Sequence, residues 1–135
     1  MSCASDQPVF SDRTVLHVRN LTRGTVLCTR ATLARSFRER RRGLLGRSQL
    51  GADEGMLFEA ELFIPLMWMH TLAMAFPIDI VFLGRDNTVI KAQASLKPWR
   101  LSAMVFGAYK ALELSAGCLV RTETAVGDRI SIGRG

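Results

Sequence analysis

Pro77-Ile78-Asp79-Ile80-Val81-Phe82-Leu83, then Gly84-Arg85-Asp86-Asn87, then Thr88-Val89-Ile90-Lys91-Ala92 is the stretch that sets the fold class. Pro77 cannot sit inside a helix without breaking it, so it reads as the end of a loop. The apolar, β-branched and aromatic run 78–83 reads as a buried strand. Residues 84–87 are turn formers, and 88–92 pair back as the second arm of a hairpin.

Working outward, Thr14 to Arg19 alternates apolar and polar residues as a strand does, Asn20 to Gly24 supplies a turn, and Thr25 to Thr29 returns as a second strand. Residues 31–42 lack Gly and Pro and are rich in Ala, Leu and Arg, which predicts a helix. Thr32 suits its start and Gly43 its stop. Met56 to Phe58 and Leu66 to Met69 read as short strands, with Gly55 in a turn between elements. Trp99 sits in an irregular stretch. Tyr109 to Leu114 is a further strand, ending at a turn around Gly117. Val126-Gly127-Asp128 is a tight turn before a last strand, 129–132. The expected fold is mainly β, with α+β also compatible: a compact antiparallel β-barrel or sandwich carrying one main helix near residues 31–43. Residues 1–12 read as a flexible arm and 13–135 as a single globular domain.

The bulk properties agree. A chain of 135 residues suits one domain and can bury a core without disulfides. Hydrophobic and charged contents of 48% and 22% are ordinary globular values. The net charge of +6 is lopsided: residues 1–50 hold ten Arg and three acids, whereas 51–135 hold eight cations and nine acids. The start, MSCASDQPVF, has neither the basic region nor the apolar run of a secretory signal. Cys3, Cys28 and Cys118 are odd in number and widely spaced, so they read as reduced thiols in a cytoplasmic protein rather than a disulfide framework or zinc site. Residues 62–83 are apolar enough to suggest a bilayer span, but Pro65, Pro77 and Asp79 fall inside them, and Glu54, Glu59 and Glu61 rather than basic anchors occupy the N-terminal flank.

The familiar catalytic, phosphate-binding and dinucleotide-binding signatures are absent, and no metal or other cofactor is expected. Candidate site residues are those whose chemistry their neighbours do not explain. Asp79 and Glu113 are acids among apolar residues. His70, after Trp68-Met69, could meet Asp79 and be oriented for acid/base work, although an Asp79 that caps loop amides accounts for the residue equally. Trp99, between Lys97 and Arg100, suits a groove wall. Arg38, Arg41, Arg42 and Arg47 form a basic surface, but without an aromatic stacking platform they read as a solvated helix end, which argues against nucleic acid.

Several of these pieces, in order, carry a resemblance. Arg41-Arg42-Gly43-Leu44-Leu45-Gly46-Arg47, Glu54-Gly55-Met56-Leu57-Phe58, Trp68-Met69-His70-Thr71 and Pro77-Ile78-Asp79-Ile80-Val81-Phe82, followed by Leu112-Glu113-Leu114-Ser115-Ala116-Gly117 and Val126-Gly127-Asp128-Arg129, look like the bacterial and archaeal domain-of-unknown-function family 192. Where that family usually has Trp-Met-Lys-Asn-Thr, this chain has His70 in place of the Lys and no Asn. The resemblance implies a compact, mostly β fold and implies no activity.

The function expected from these residues is a ligand- or partner-binding module, not an enzyme. It would hold a small molecule or a protein at a groove near Trp68, His70, Asp79, Trp99, Arg100 and Glu113. One alternative is a small hydrolase or lyase using His70 and Asp79. The other is weak nucleic-acid binding through Arg38 to Arg47.

Overall fold

The structure, a computed structural model, describes residues 15–34, 50–60, 66–67, 75–102 and 104–134. These form β1 (Val15–Asn20), β2 (Thr25–Ala34), β3 (Glu54–Glu59), β4 (Leu66–Met67), β5 (Ile78–Leu83), β6 (Val89–Leu96), β7 (Val105–Phe106), β8 (Lys110–Ser115), a helix α1 (Cys118–Thr122) and β9 (Ile130–Arg134). The chain is mainly β, as its alternation and turn residues predict.

The hairpin 78–92 lies where expected. All six residues of β5 are buried, because β5 is flanked by β6 and β8 and covered on both faces. That is why its sequence reads as a continuous apolar run rather than an alternating one. Gly84 N donates to Thr88 O at 2.9 Å, and Asn87 adopts the left-handed conformation, φ 63, that the tight turn needs. In the β1–β2 hairpin, Gly24 (φ 69) donates to Asn20 O at 2.8 Å.

Seven strands form one sheet in the order β6-β5-β8-β3-β2-β1-β9, and β4 pairs with β7 in a small ribbon. The sheet curls until its edges meet at one end. Thr88 bridges Arg129, Val89 N donates to Asp128 O at 2.8 Å, and Ile130 N donates to Asn87 O at 2.9 Å. Full pairing of the edges would make a closed barrel. This partial pairing makes a half-barrel with two apolar layers. The concave layer draws on all seven strands and on α1, with Val18, Leu27, Leu57, Val81, Leu83, Leu112, Leu119 and Ile130 among its members. The convex layer contains Met56, Phe58, Ile78, Ile80, Phe82 and Ala111 and is covered by Met67, Phe76 and Val105.

Two local expectations change. Ala31–Ala34, the predicted first turn of the helix over 31–43, instead continues β2, and residues 35–43 lie outside the described residues. The strand continues because Arg30 to Ala34 pair with Glu54 to Phe58. A ladder of backbone hydrogen bonds and two buried alanines outweighs intrinsic propensities worth tenths of a kcal/mol per residue. This β2–β3 pair is parallel, whereas the other pairs of the large sheet are antiparallel. Gly55 also lies inside β3 rather than in a turn. A Cβ there would come within 2.9 Å of Cys28 Sγ and 3.3 Å of Glu113 O, so the residue is small because neighbouring strands crowd it. Gly117, at φ 96, does make the left-handed turn expected of it.

Candidate functional site

Register decides which polar side chains can meet. Ile80 pairs with Gln93 on β6 and with Glu113 on β8, and Glu113 pairs in turn with Met56 on β3. Directly paired residues share a face, so Gln93, Ile80, Glu113 and Met56 form a row on the convex layer. Asp79 is one residue out of step with Ile80 and paired with Leu114, so it points to the concave side. The two acids therefore occupy opposite faces of the sheet.

Asp79 is fully buried, and its environment accounts for it. β6 carries a bulge opposite Asp79, where the pairing slips between Ile78–Leu96 and Ile80–Gln93 and Ser95 turns to φ 50. The bulge directs Ser95 N to Asp79 Oδ1 at 2.8 Å. Asp79 Oδ2 accepts from Leu119 N, in the first turn of α1, at 2.9 Å. Gly117 offers no side-chain cap to that helix. One carboxylate thus fixes the bulge and anchors the helix across the end of the half-barrel.

Glu113 is also fully buried, in the convex layer, and is engaged within the chain. Two strand spacings away, about 10 Å between backbones, lies Gln93, a residue the sequence reading passed over. Among the described residues, Gln93 Oε1 is the buried side-chain acceptor without a hydrogen-bond partner. Its alternating, half-exposed strand disguised it, because no sequence signal reports which face of a bulged strand is covered.

The remaining candidates separate. Trp99 is 62% exposed and in the left-handed conformation at φ 61. Arg100 is exposed, and its Nη1 donates to Trp99 O at 3.4 Å. Trp68, His70, Arg38, Arg41, Arg42 and Arg47 lie outside the described residues. Among the described residues, no group of three or more His, Cys, Asp and Glu is placed to hold a metal ion, and no helix is long and apolar enough to cross a membrane.

A third buried acid, Asp128, was read from sequence only as a turn residue. It joins β9 to the β1–β2 hairpin: its Oδ2 accepts from Asn20 Nδ2 at 2.9 Å, Ala125 N at 3.0 Å and Arg23 Nε at 3.1 Å. Burial alone would raise its pKa. The bonds from Asn20, Ala125 and Arg23, with the Arg23 charge, outweigh that and hold it below the usual carboxylate value. The two described cysteines are free and buried. Burial, then the neighbouring Cys118, pushes the Cys28 thiol up to about 12, and burial also raises Cys118. Neither thiol is poised as a nucleophile.

Comparison with known proteins places this arrangement in context. Residues 18–132 match the family DUF192, described as uncharacterized ACR. A "putative transcription regulator" of Sinorhizobium meliloti 1021 is similar at TM-score 0.71 and 25% identity, over 88% of this chain and 92% of that one. A protein of unknown function from Novosphingobium aromaticivorans DSM 12444 is similar at TM-score 0.70 and 26% identity, over 87% and 83%. No curated protein matches.

Proposed function

The chain belongs to the DUF192 family, which brings a fold and no activity with it, and from the geometry we propose a small binding module whose ligand sits on the convex face of the sheet at Gln93 and Glu113. The observation that carries this reading is Gln93 Oε1, a buried acceptor without a partner in register with a buried carboxylate. A buried acceptor left empty costs about 1–3 kcal/mol, a cost that a binding site recovers when its ligand arrives. An amide oxygen accepts hydrogen bonds, so the complementary ligand carries an N–H donor: a primary amine, guanidine or amide. Trp68 follows directly on Met67, which packs in the convex layer, and His70 comes two residues after Trp68; we include both as ligand-contacting residues on the sequence argument.

The hydrolase reading loses ground, because Asp79 already serves two backbone amides. The name of the Sinorhizobium protein favours nucleic-acid binding as a second reading, carried here by Arg38 to Arg47. That reading requires binding that weakens steeply with salt.

Gln93→Leu tests the main proposal. Exchanging an empty buried acceptor for an apolar group of similar size should stabilise the free protein by about 1 kcal/mol, a rise of roughly 3 °C in Tm for a domain of this size. The same exchange should abolish the Tm increase that a panel of small amines, guanidines and amides gives the wild type. If no compound of these classes stabilises the wild type, or if Gln93→Leu responds as the wild type does, the site is misplaced.

A further inference from the structure

β6 ends at Leu96, and the next strand is the two-residue β7. Across the connection and β7, Trp99, Leu101, Met104 and Phe106 are exposed by 62%, 59%, 59% and 77%. Four large apolar side chains therefore face water within eight consecutive positions. The other exposed large apolar residues, such as Val15, Leu21 and Val120, are dispersed along the chain. Leaving such side chains in water forgoes the free energy that their burial would release. Trp99 moreover holds a left-handed backbone, φ 61, that a bulky residue adopts only at a cost.

The segment itself carries charge of one sign: residues 97–106 contain Lys97 and Arg100 and no acid. A symmetric contact between two copies would set these cations against each other, which argues against self-association. The polar side chains between Trp99 and Phe106 belong to Arg100 and Ser102, and both are already engaged within the chain. The segment offers apolar contact and positive charge, with few side-chain groups left for directional recognition.

We propose that residues 97–106 dock this protein peripherally on an anionic lipid bilayer. Trp99 and Phe106 would sit at the headgroup level, Leu101 and Met104 would reach the acyl boundary, and the positive charge of the segment would favour anionic headgroups. A bilayer suits the segment because it demands apolar area and opposite charge without a fixed pattern of hydrogen bonds. The proposal is independent of the ligand site at Gln93 and Glu113.

The test is flotation of the full chain with vesicles of phosphatidylcholine alone, or with about one quarter phosphatidylglycerol. The wild type should float with the anionic vesicles and not the neutral ones, and should be released by salt. Trp99→Gly combined with Phe106→Ser should lower partitioning by about tenfold or more. Glycine tolerates the left-handed backbone and Phe106 is exposed, so the fold should survive, as circular dichroism would verify; Leu101→Ser provides a second, milder variant. Val120→Ser, at a 77% exposed position on α1, should bind as the wild type does. The proposal is overturned by wild type that ignores anionic vesicles, by equal binding to neutral ones, or by folded Trp99→Gly/Phe106→Ser protein that floats undiminished. It is overturned in favour of a protein partner if the chain is retained on immobilised polyglutamate but not on vesicles.

Discussion

Asp79 and Gln93 are the two residues whose roles the structure exchanges. Asp79 attracts attention in the sequence because it interrupts an apolar strand. It proves to be a strut, with both oxygens accepting backbone amides of elements distant in sequence. Asp79→Ala would strand Ser95 N and Leu119 N without a partner, at a cost of about 3–5 kcal/mol for two charge-assisted bonds. Asp79→Asn keeps one acceptor and turns an amide donor toward the other N–H, at about 1–3 kcal/mol. Urea denaturation checks both values, and a loss below about 1 kcal/mol for the alanine variant would contradict the strut. Gln93 shows the opposite pattern, inconspicuous in sequence and singled out only by the partner it lacks. Asp128 supplies a pH test. Its folded pKa lies below the usual carboxylate value near 4, so its contribution is present above that pH and is lost as pH falls through the folded pKa. Asp128→Asn should lower stability at neutral pH and flatten the acid limb of a stability–pH curve. An unchanged acid limb would contradict the assignment.

Among the elements, the central hairpin was legible because its information is local: Pro, an apolar run, four turn residues and a returning strand. The predicted helix over 31–43 illustrates the reverse case. Ala31 to Ala34 favour helix on their own, and only the approach of β3 makes them a strand. α1, by contrast, is five residues long, below the length at which periodicity is readable. It is held in place by Asp79, and Thr122 Oγ1 donates to Cys118 O at 2.8 Å within it. Cys28 on β2 and Cys118 on α1 lie where these elements pack together. With the Cys28 pKa raised to about 12, the folded state keeps this thiol neutral while the unfolded chain ionises near 8.5–9. Stability should therefore be full below about pH 8.5 and fall as pH rises towards 12. Cys28→Ala should remove part of that alkaline loss, read as a shallower decline of Tm between about pH 8.5 and 10.

At the scale of the molecule, one curled sheet divides the protein into two apolar layers, and its curvature brings β6 and β9 together at Thr88 and Arg129. The family pattern, the mainly β class and most of the strand positions follow from sequence, because periodicity, turn chemistry and burial preference act on neighbouring residues. The expected groove drew Asp79, Glu113 and Trp99 into one place, and the structure distributes them: Asp79 to the concave layer, Glu113 to the convex layer, Trp99 to the surface. Residue identity alone could announce that two acids are buried. Whether they share a face depends on register, since a single step along a strand moves a side chain to the other side of the sheet. The sequence by itself determined the strand-rich class, the positions of most strands and which residues are chemically out of place. Only the tertiary structure decided which of those residues meet, because contacts between strands far apart in the chain are fixed by pairing and curvature that no local pattern encodes.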